Sequence, residues 1–187
     1  MFPGFVNRAA DEVARQLLGC ELHRYIDNEL IRVKIVETES YDQTDQASHT
    51  YNGQTARNSV MFGEAGFLYV YFTYGMHYCC NVVAGEAGYG AAALIRAVEP
   101  LEGGQLMERF RNKTGVSVSN GPAKLCQSLM IGKSFNGHDL RQVPLTLIQA
   151  TPVHDTDVVN TTRIGISRAQ DELKRWYIKD NPYVSKA

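Results

Sequence analysis

The sequence lacks a surplus of positive charge: its 187 residues carry a formal net charge of −1, whereas proteins that grip phosphates ordinarily show a basic signature. As an average, this argues against a nucleic-acid partner. Cysteine is sparse, and Cys20, Cys79, Cys80 and Cys126 form no CxxC pair. Neither a zinc site nor a disulfide framework is favoured, and reduced thiols in a cytosolic protein are the expectation. No GxSxG elbow is present for a serine hydrolase, and "GQTARN" and "GYG" carry no phosphate-binding fingerprint. The start, "MFPGFVNRAADEV", reaches Arg8, Asp11 and Glu12 too soon for the apolar core of an export signal. Repeats and low-complexity stretches are missing as well, so one domain over residues 1–187 is expected.

The charge that is present is unevenly placed. Residues 1–100 hold seven Lys or Arg against twelve Asp or Glu, whereas 105–143 hold six against two and 163–187 six against three. That gradient permits a basic face opposite an acidic one, and describes solvated helix surfaces equally well. Residues 65–85 carry no charge at all, a run close to the roughly 20 residues that span a bilayer. Gly, Thr, His, Asn and four tyrosines interrupt it, and its period of two marks a hairpin, so no membrane role is expected.

Asn7 is placed to cap a helix through residues 8–19, with Val13, Leu17 and Leu18 on one face and Gly19 as the stop. A strand "ELHRYI" turns through "DNE" into "LIRVKIVETESY". Alternation there predicts Val33, Ile35, Glu37, Glu39 and Tyr41 on one face, with Lys34, Val36, Thr38 and Ser40 on the other. Residues 42–64 show no periodicity, and a loop of that length with His, Arg and aromatic content favours function. Beyond the hairpin come a strand "GAAALIRAVEP", a helix near 101–112, and a helix begun by Asn120 and Pro122 and stopped by Gly132. "LTLIQA", "TTRIGIS" and "RWYIKD" read as short strands. The expected fold is α+β, a single domain with a curved, mainly antiparallel sheet flanked by helices and a protruding hairpin.

Three features suggest chemistry. In the hairpin, Leu68, Val70 and Phe72 share a face and look like core, Phe67, Tyr69 and Tyr71 share the other, and Tyr74 and Met76 stand at the tip. Exposed large side chains make a poor turn but a good wedge. Arg96 sits in "AAALIRAV", a strand apolar enough to be buried, where an unpartnered guanidinium is costly. It is expected to meet Glu37 or Glu39, either as a structural ion pair or to hold a carboxylate as general base. Asp42, Asp45 and His49 allow a metal-dependent hydrolase as an alternative, although not at a recognised ligand spacing.

Taken in order, "ARQLLG", "VETESY", "ASH", "GQTARN", "MFG", "LYVYFTYGMHYCCNVV", "LIRAVEP", "GPAKLCQSLMI" and "RIGI" resemble the alkyladenine (3-methyladenine) DNA glycosylase family, of the N-methylpurine DNA glycosylase type. The resemblance spans nearly the whole chain. It implies a monofunctional enzyme without cofactor or metal, which flips a damaged purine out of double-stranded DNA and hydrolyses its glycosidic bond, leaving an abasic site. Glu39 would activate the water, helped by Arg96 and the carbonyl of Ile164. Tyr41, His49, Tyr71, Asn81 and Leu94 would form the base pocket, with Tyr69 supporting His49 and Asn81 excluding the guanine 2-amino group. Tyr74 and Met76 would enter the DNA. Substrates implied are 3-methyladenine, 7-methylguanine, hypoxanthine and ethenoadenine. A damage-recognition protein without turnover is the rival from another class.

The chain departs from the mammalian pattern in its compact segment between "AVEP" and "GPAKL", its short start, and a loop from Tyr41 to His49 one residue shorter. A trimmed bacterial form is the expectation, monomeric, cytoplasmic and nucleoid-associated. Arg57, Arg109, Arg111, Lys124, Lys133 and Arg168 are the phosphate candidates. Lys34, on the strand face opposite Glu39, argues against an amine nucleophile.

Overall fold

The computed structural model describes residues 1–185. Asp27 and Asn28, both left-handed at φ 48° and 67°, turn β1 (Glu21–Ile26) directly into β2 (Glu29–Asp42). Two central residues at positive φ form the mirror-image turn whose twist suits paired antiparallel strands. The expected α+β fold with a curved antiparallel sheet is found. The sheet runs β6 (His138–Asp139), β3 (Phe67–Thr73), β4 (His77–Val83), β5 (Ala91–Glu102), β2, β1 and β7 (Leu145–Ile148). β8 (Val158–Thr161) pairs with β9 (Arg175–Ile178), which joins the same sheet beside Glu37–Glu39 of β2.

Helix α1 (Ala10–Leu17) buries Val13, Ala14 and Leu17 against the sheet. Asp11 and Glu12 favour its N-terminal dipole, and Arg15 its last turn. Asn7 does not cap it: Asn7 lies in the preceding single turn, and Ala9 holds the cap position without a side-chain bond. The helix stops before Gly19, whose φ of +87° suits glycine, and a Cβ there would come within 2.9 Å of Val153 Cγ2. Helices α2 (Gly104–Arg111) and α3 (Pro122–Ser128) cover the same core. Pro122 starts α3 as expected, but Gly121 occupies the cap instead of Asn120, and the helix ends before Gly132. "TTRIGIS" is a strand only at Thr161; residues 162–167 form an irregular segment. Among the described residues, no helix is long and apolar enough to cross a membrane.

The feature that positions the site is a pair of opposed bulges. Ile35 faces Val98 and Glu37 faces Ala97, so Val36 is an extra residue in β2; Glu37 to Thr38 then spans Ala97 to Ile95, so Arg96 is an extra residue in β5. A bulge exchanges the two faces of a strand. Val33 and Ile35 pack into the core with α1, and beyond the bulge Thr38 and Ser40 take over that side, Thr38 Oγ1 donating to Ala14 O at 2.7 Å and Ser40 Oγ donating to Asp11. In β5 the same exchange leaves Ala93 and Ile95 in the core before the bulge and Val98 after it. The shared face predicted for Val33, Ile35, Glu37, Glu39 and Tyr41 is therefore wrong: the acids and the tyrosine leave the core. Lys34 is correspondingly not kept from Glu39 by opposite faces. It lies five residues back along β2, about 16 Å at the rise of a strand, and its Nζ pairs with Glu99 at 2.6 Å.

Candidate active site

The second half of β2, the loop after it, β3, β4, β5, the start of α3 and residues 164–168 surround a cleft of about 560 Å³. Glu39, Tyr41, His49, Tyr69, Tyr71, Tyr74, Asn81, Leu94, Arg96 and Ile164 all line it, and Met76 does not. No lysine lines it.

Glu39 lies at the floor with no exposed side-chain surface. Its Oε1 accepts from the Ile164 N–H at 2.9 Å and faces Arg96 Nη1 at 3.1 Å, and its Oε2 accepts from the Tyr41 hydroxyl at 2.7 Å. A carboxylate offers about four acceptor positions. Three are taken, which leaves Glu39 capacity on the cleft side. Ile164 meets Glu39 through its N–H, a contact separate from the role expected for its carbonyl in holding the water.

Glu37 is held by other partners. Oε1 meets Arg96 Nε at 3.2 Å, Arg175 Nε at 3.1 Å and Ser185 Oγ at 2.9 Å, while Oε2 accepts from the Ser185 N–H at 2.7 Å. Glu37 does not line the cleft. Arg96 thus meets both acids, one more than sequence required. Burial works against its charge, and the Glu39 and Glu37 carboxylates outweigh that, leaving its pKa above the ordinary arginine value.

Aromatic rings form the walls. Tyr69 and Tyr71 stack at 5.7 Å, and His49 stands edge-on to Tyr71 at 4.6 Å, its Nδ1 sharing a 3.1 Å hydrogen bond with the Tyr69 hydroxyl. Loss of water at this wall, then the Arg57 charge, hold His49 below the usual histidine value, so its ring is neutral at pH 7. Burial, then the Glu39 charge, raise the Tyr41 pKa, and burial also raises that of Tyr71, so both keep their protons. Burial pushes Cys79 up to about 11, which keeps it a thiol rather than a nucleophilic thiolate at neutral pH. Asn81 is buried between the strands, its Nδ2 donating to Tyr69 O at 3.1 Å.

At the hairpin tip Tyr74 is 82% exposed and Met76 67%. Tyr74 and Gly75 hold φ of 51° and 66°. That conformation suits Gly75 and is unusual for a bulky side chain such as Tyr74. Leu68 and Val70 are core as expected, but Phe72 is 49% exposed and leans on Tyr78 with ring centroids 5.0 Å apart.

Of the basic candidates, Arg168 lines the cleft and Arg57 reaches the hairpin, its Nη2 lying 3.4 Å from Phe72 O. Of the others, Arg109 faces Glu29, Arg111 reaches Gln127, Lys124 holds Asn120, and Lys133 is exposed. Asp42, Asp45 and His49 do not converge. Asp45 is bound by Arg163, and Asp42 lies 3.7 Å from Lys174. Among the described residues, no three His, Cys, Asp or Glu side chains are grouped to hold a metal ion.

Sequence reasoning missed Arg163, whose buried guanidinium lies 4.7 Å over the Tyr41 ring. It also missed Asn58, whose Nδ2 donates to His49 O at 2.7 Å and so fixes the loop that presents His49. Both lie inside quoted motifs, "RIGI" and "GQTARN", but their partners are set by chain folding, not by spacing.

Residues 4–182 match the family model described as methylpurine-DNA glycosylase. A protein of Carboxydothermus hydrogenoformans named "Putative 3-methyladenine DNA glycosylase" is 50% identical, covering 93% of this chain and 92% of its own. Proteins of the same name from Francisella tularensis and Methanoculleus marisnigri are 46% and 44% identical, covering 94% and 97% of this chain and 93% and 96% of their own.

Proposed function

Since the chain belongs to the methylpurine-DNA glycosylase family, we propose that it hydrolyses the N-glycosidic bond of alkylated or deaminated purines in double-stranded DNA, without a metal and without cutting the strand. One observation carries this: of two buried acids on one arginine, Glu39 lines the aromatic cleft with an acceptor position to spare, and Glu37 does not line it.

The purine leaves the stack because its glycosidic bond is out of reach inside the duplex. Tyr41, His49 and Tyr71 receive the ring, and Asn81 and Leu94 close the pocket. Water attacks C1′ as the C1′–N bond breaks; the bond pair goes to the base, the proton of the water goes to Glu39, and the carboxylate offsets the positive charge developing on the sugar. A cationic 3-methyladenine departs neutral without an acid. 7-Methylguanine leaves in the same way, whereas hypoxanthine and ethenoadenine are neutral and need a proton.

Purified protein incubated with methylated duplex should release free 3-methyladenine equally in buffer and in EDTA, with no borohydride-trapped adduct. Binding without free base would make it a silent damage sensor, and loss in EDTA would make it a metallohydrolase.

Tyr74 fills the gap left by the flipped nucleotide. Its positive φ is tolerated at some cost at a place where only an outward-pointing ring benefits. Tyr74→Gly is expected to leave the melting temperature unchanged or higher, since glycine suits this φ. Excision from duplex should fall about 10- to 100-fold, because holding an unstacked step open costs a few kcal/mol, and excision from single strands much less. Equal losses on both substrates would remove the wedge role.

A further inference from the structure

We propose that Arg163 and Asp45 form a positioning pair that holds the two neutral donors of Glu39, the Tyr41 hydroxyl and the Ile164 amide, on its carboxylate. Both side chains are fully buried. They meet at two points, Nη2 to Oδ1 at 3.0 Å and Nη1 to Oδ2. Arg163 Nη1 also donates to Ser40 O at 3.0 Å, and its Cζ lies 4.7 Å over the Tyr41 ring. One guanidinium therefore touches β2 just before Tyr41, the face of that ring, and the loop carrying Asp45. Ile164, whose N–H meets Glu39, is the next residue in the chain.

Buried ion pairs are weak sources of stability, because the attraction between the charges is largely offset by their lost hydration. What this pair supplies is geometry. The irregular segment 162–167 has no ladder to fix it, and a donor on a loop is less precise than one on a strand unless its support is locked. Tyr41 lies one residue from the end of β2, paired with Ala92 but beyond the reach of β9, where the strand gives way to the loop. Arg163 ties both to one point behind the acid, so that the acceptor position left on Glu39 faces the cleft in a single orientation.

Arg163→Lys keeps the charge and loses the two-point fork. Asp45→Asn keeps the shape and loses the charge. Both are expected to melt cooperatively and to bind a lesion duplex within about threefold of the parent, while single-turnover excision at saturating enzyme falls about 10- to 100-fold, the scale of a misplaced reacting group. Combined with Tyr41→Phe, either loss should be less than multiplicative, because both changes act through the same donor. Wild-type rates in the folded variants would overturn the pairing role. So would a loss confined to duplex affinity, or full multiplicativity with Tyr41→Phe. If Arg163→Lys does not fold, Asp45→Asn decides.

The inference rests on Glu39 as the acid that activates water, and Glu39→Gln measured alongside keeps the two claims apart. An active Glu39→Gln refutes that acid. An inactive Glu39→Gln beside an unimpaired Asp45→Asn refutes only the positioning.

Discussion

Glu39→Gln is expected to lower single-turnover excision by about 10² to 10⁴-fold, the usual contribution of a positioned general base, while affinity for a lesion duplex stays within a few-fold. The amide is nearly the same size, so the aromatic walls and the hairpin proposed to bind the nucleotide are untouched. What is lost is the ability to take a proton from water and to offset charge at C1′. The variant retains the Arg96–Glu37 contact at 3.2 Å and the Ser185 bonds to Glu37, which anchor the surrounding strands. Its fold should therefore survive. Rate at saturating enzyme and binding by anisotropy, measured on one duplex, separate the two effects. Near-normal excision would transfer the role to Glu37, although Glu37 does not line the cleft.

Arg96→Met is expected to be the most destabilising single change at the site, by about 3 to 5 kcal/mol, the cost of removing one partner from a buried ion pair. Glu37 and Glu39 both have no exposed side-chain surface, and Arg96 is the one residue that contacts both among their described partners. At roughly 2 to 4 °C per kcal/mol for a chain of this size, the melting temperature should drop by about 6 to 20 °C. Adding Glu39→Gln to Arg96→Met removes one stranded charge and should restore part of that loss without restoring excision. Thermal denaturation of the single and double variants reads this directly. A double variant less stable than Arg96→Met alone would mean that the arginine does not serve to balance these acids.

The parts of the fold legible in the sequence are those where a local rule decides. The Asp27–Asn28 turn and the alternation of Tyr69 and Tyr71 against Leu68 and Val70 need only neighbours in the chain. Arg96 was legible because a charge in an apolar strand demands a partner. The bulges at Val36 and Arg96 were not, since an extra residue within a run of mixed side chains still reads as unbroken alternation. That one feature moves Glu37, Glu39 and Tyr41 off the core face. Asn7 and Asn120 failed as caps because cap preference is local, whereas the helix starts are fixed by packing. Phe72 failed as core because the hairpin projects past the layer that would have covered it. Arg163 and Asp45 lie 118 residues apart, and no spacing rule joins them. Residue roles at the cleft came from family resemblance; the geometry supplies what resemblance lacks, that of two neighbouring acids only Glu39 lines the cleft.

The cysteines illustrate the same division. Their spacing disfavoured a metal or disulfide scaffold, but nothing in the sequence distinguished Cys79, which lines the cleft, from Cys126, which is buried between α3 and the sheet. The pairing of Cys79 with Tyr71 across β3 and β4 makes that distinction, and burial then keeps the Cys79 thiol protonated.

The most direct measurement is a crystal structure of Glu39→Gln bound to a duplex with a single ethenoadenine. The expected result is the modified purine between Tyr41, His49 and Tyr71, its C1′ facing Gln at position 39 across one water, and Tyr74 in the vacated step. A lesion still stacked in the duplex, or a sugar nearer Glu37 than position 39, would contradict the account.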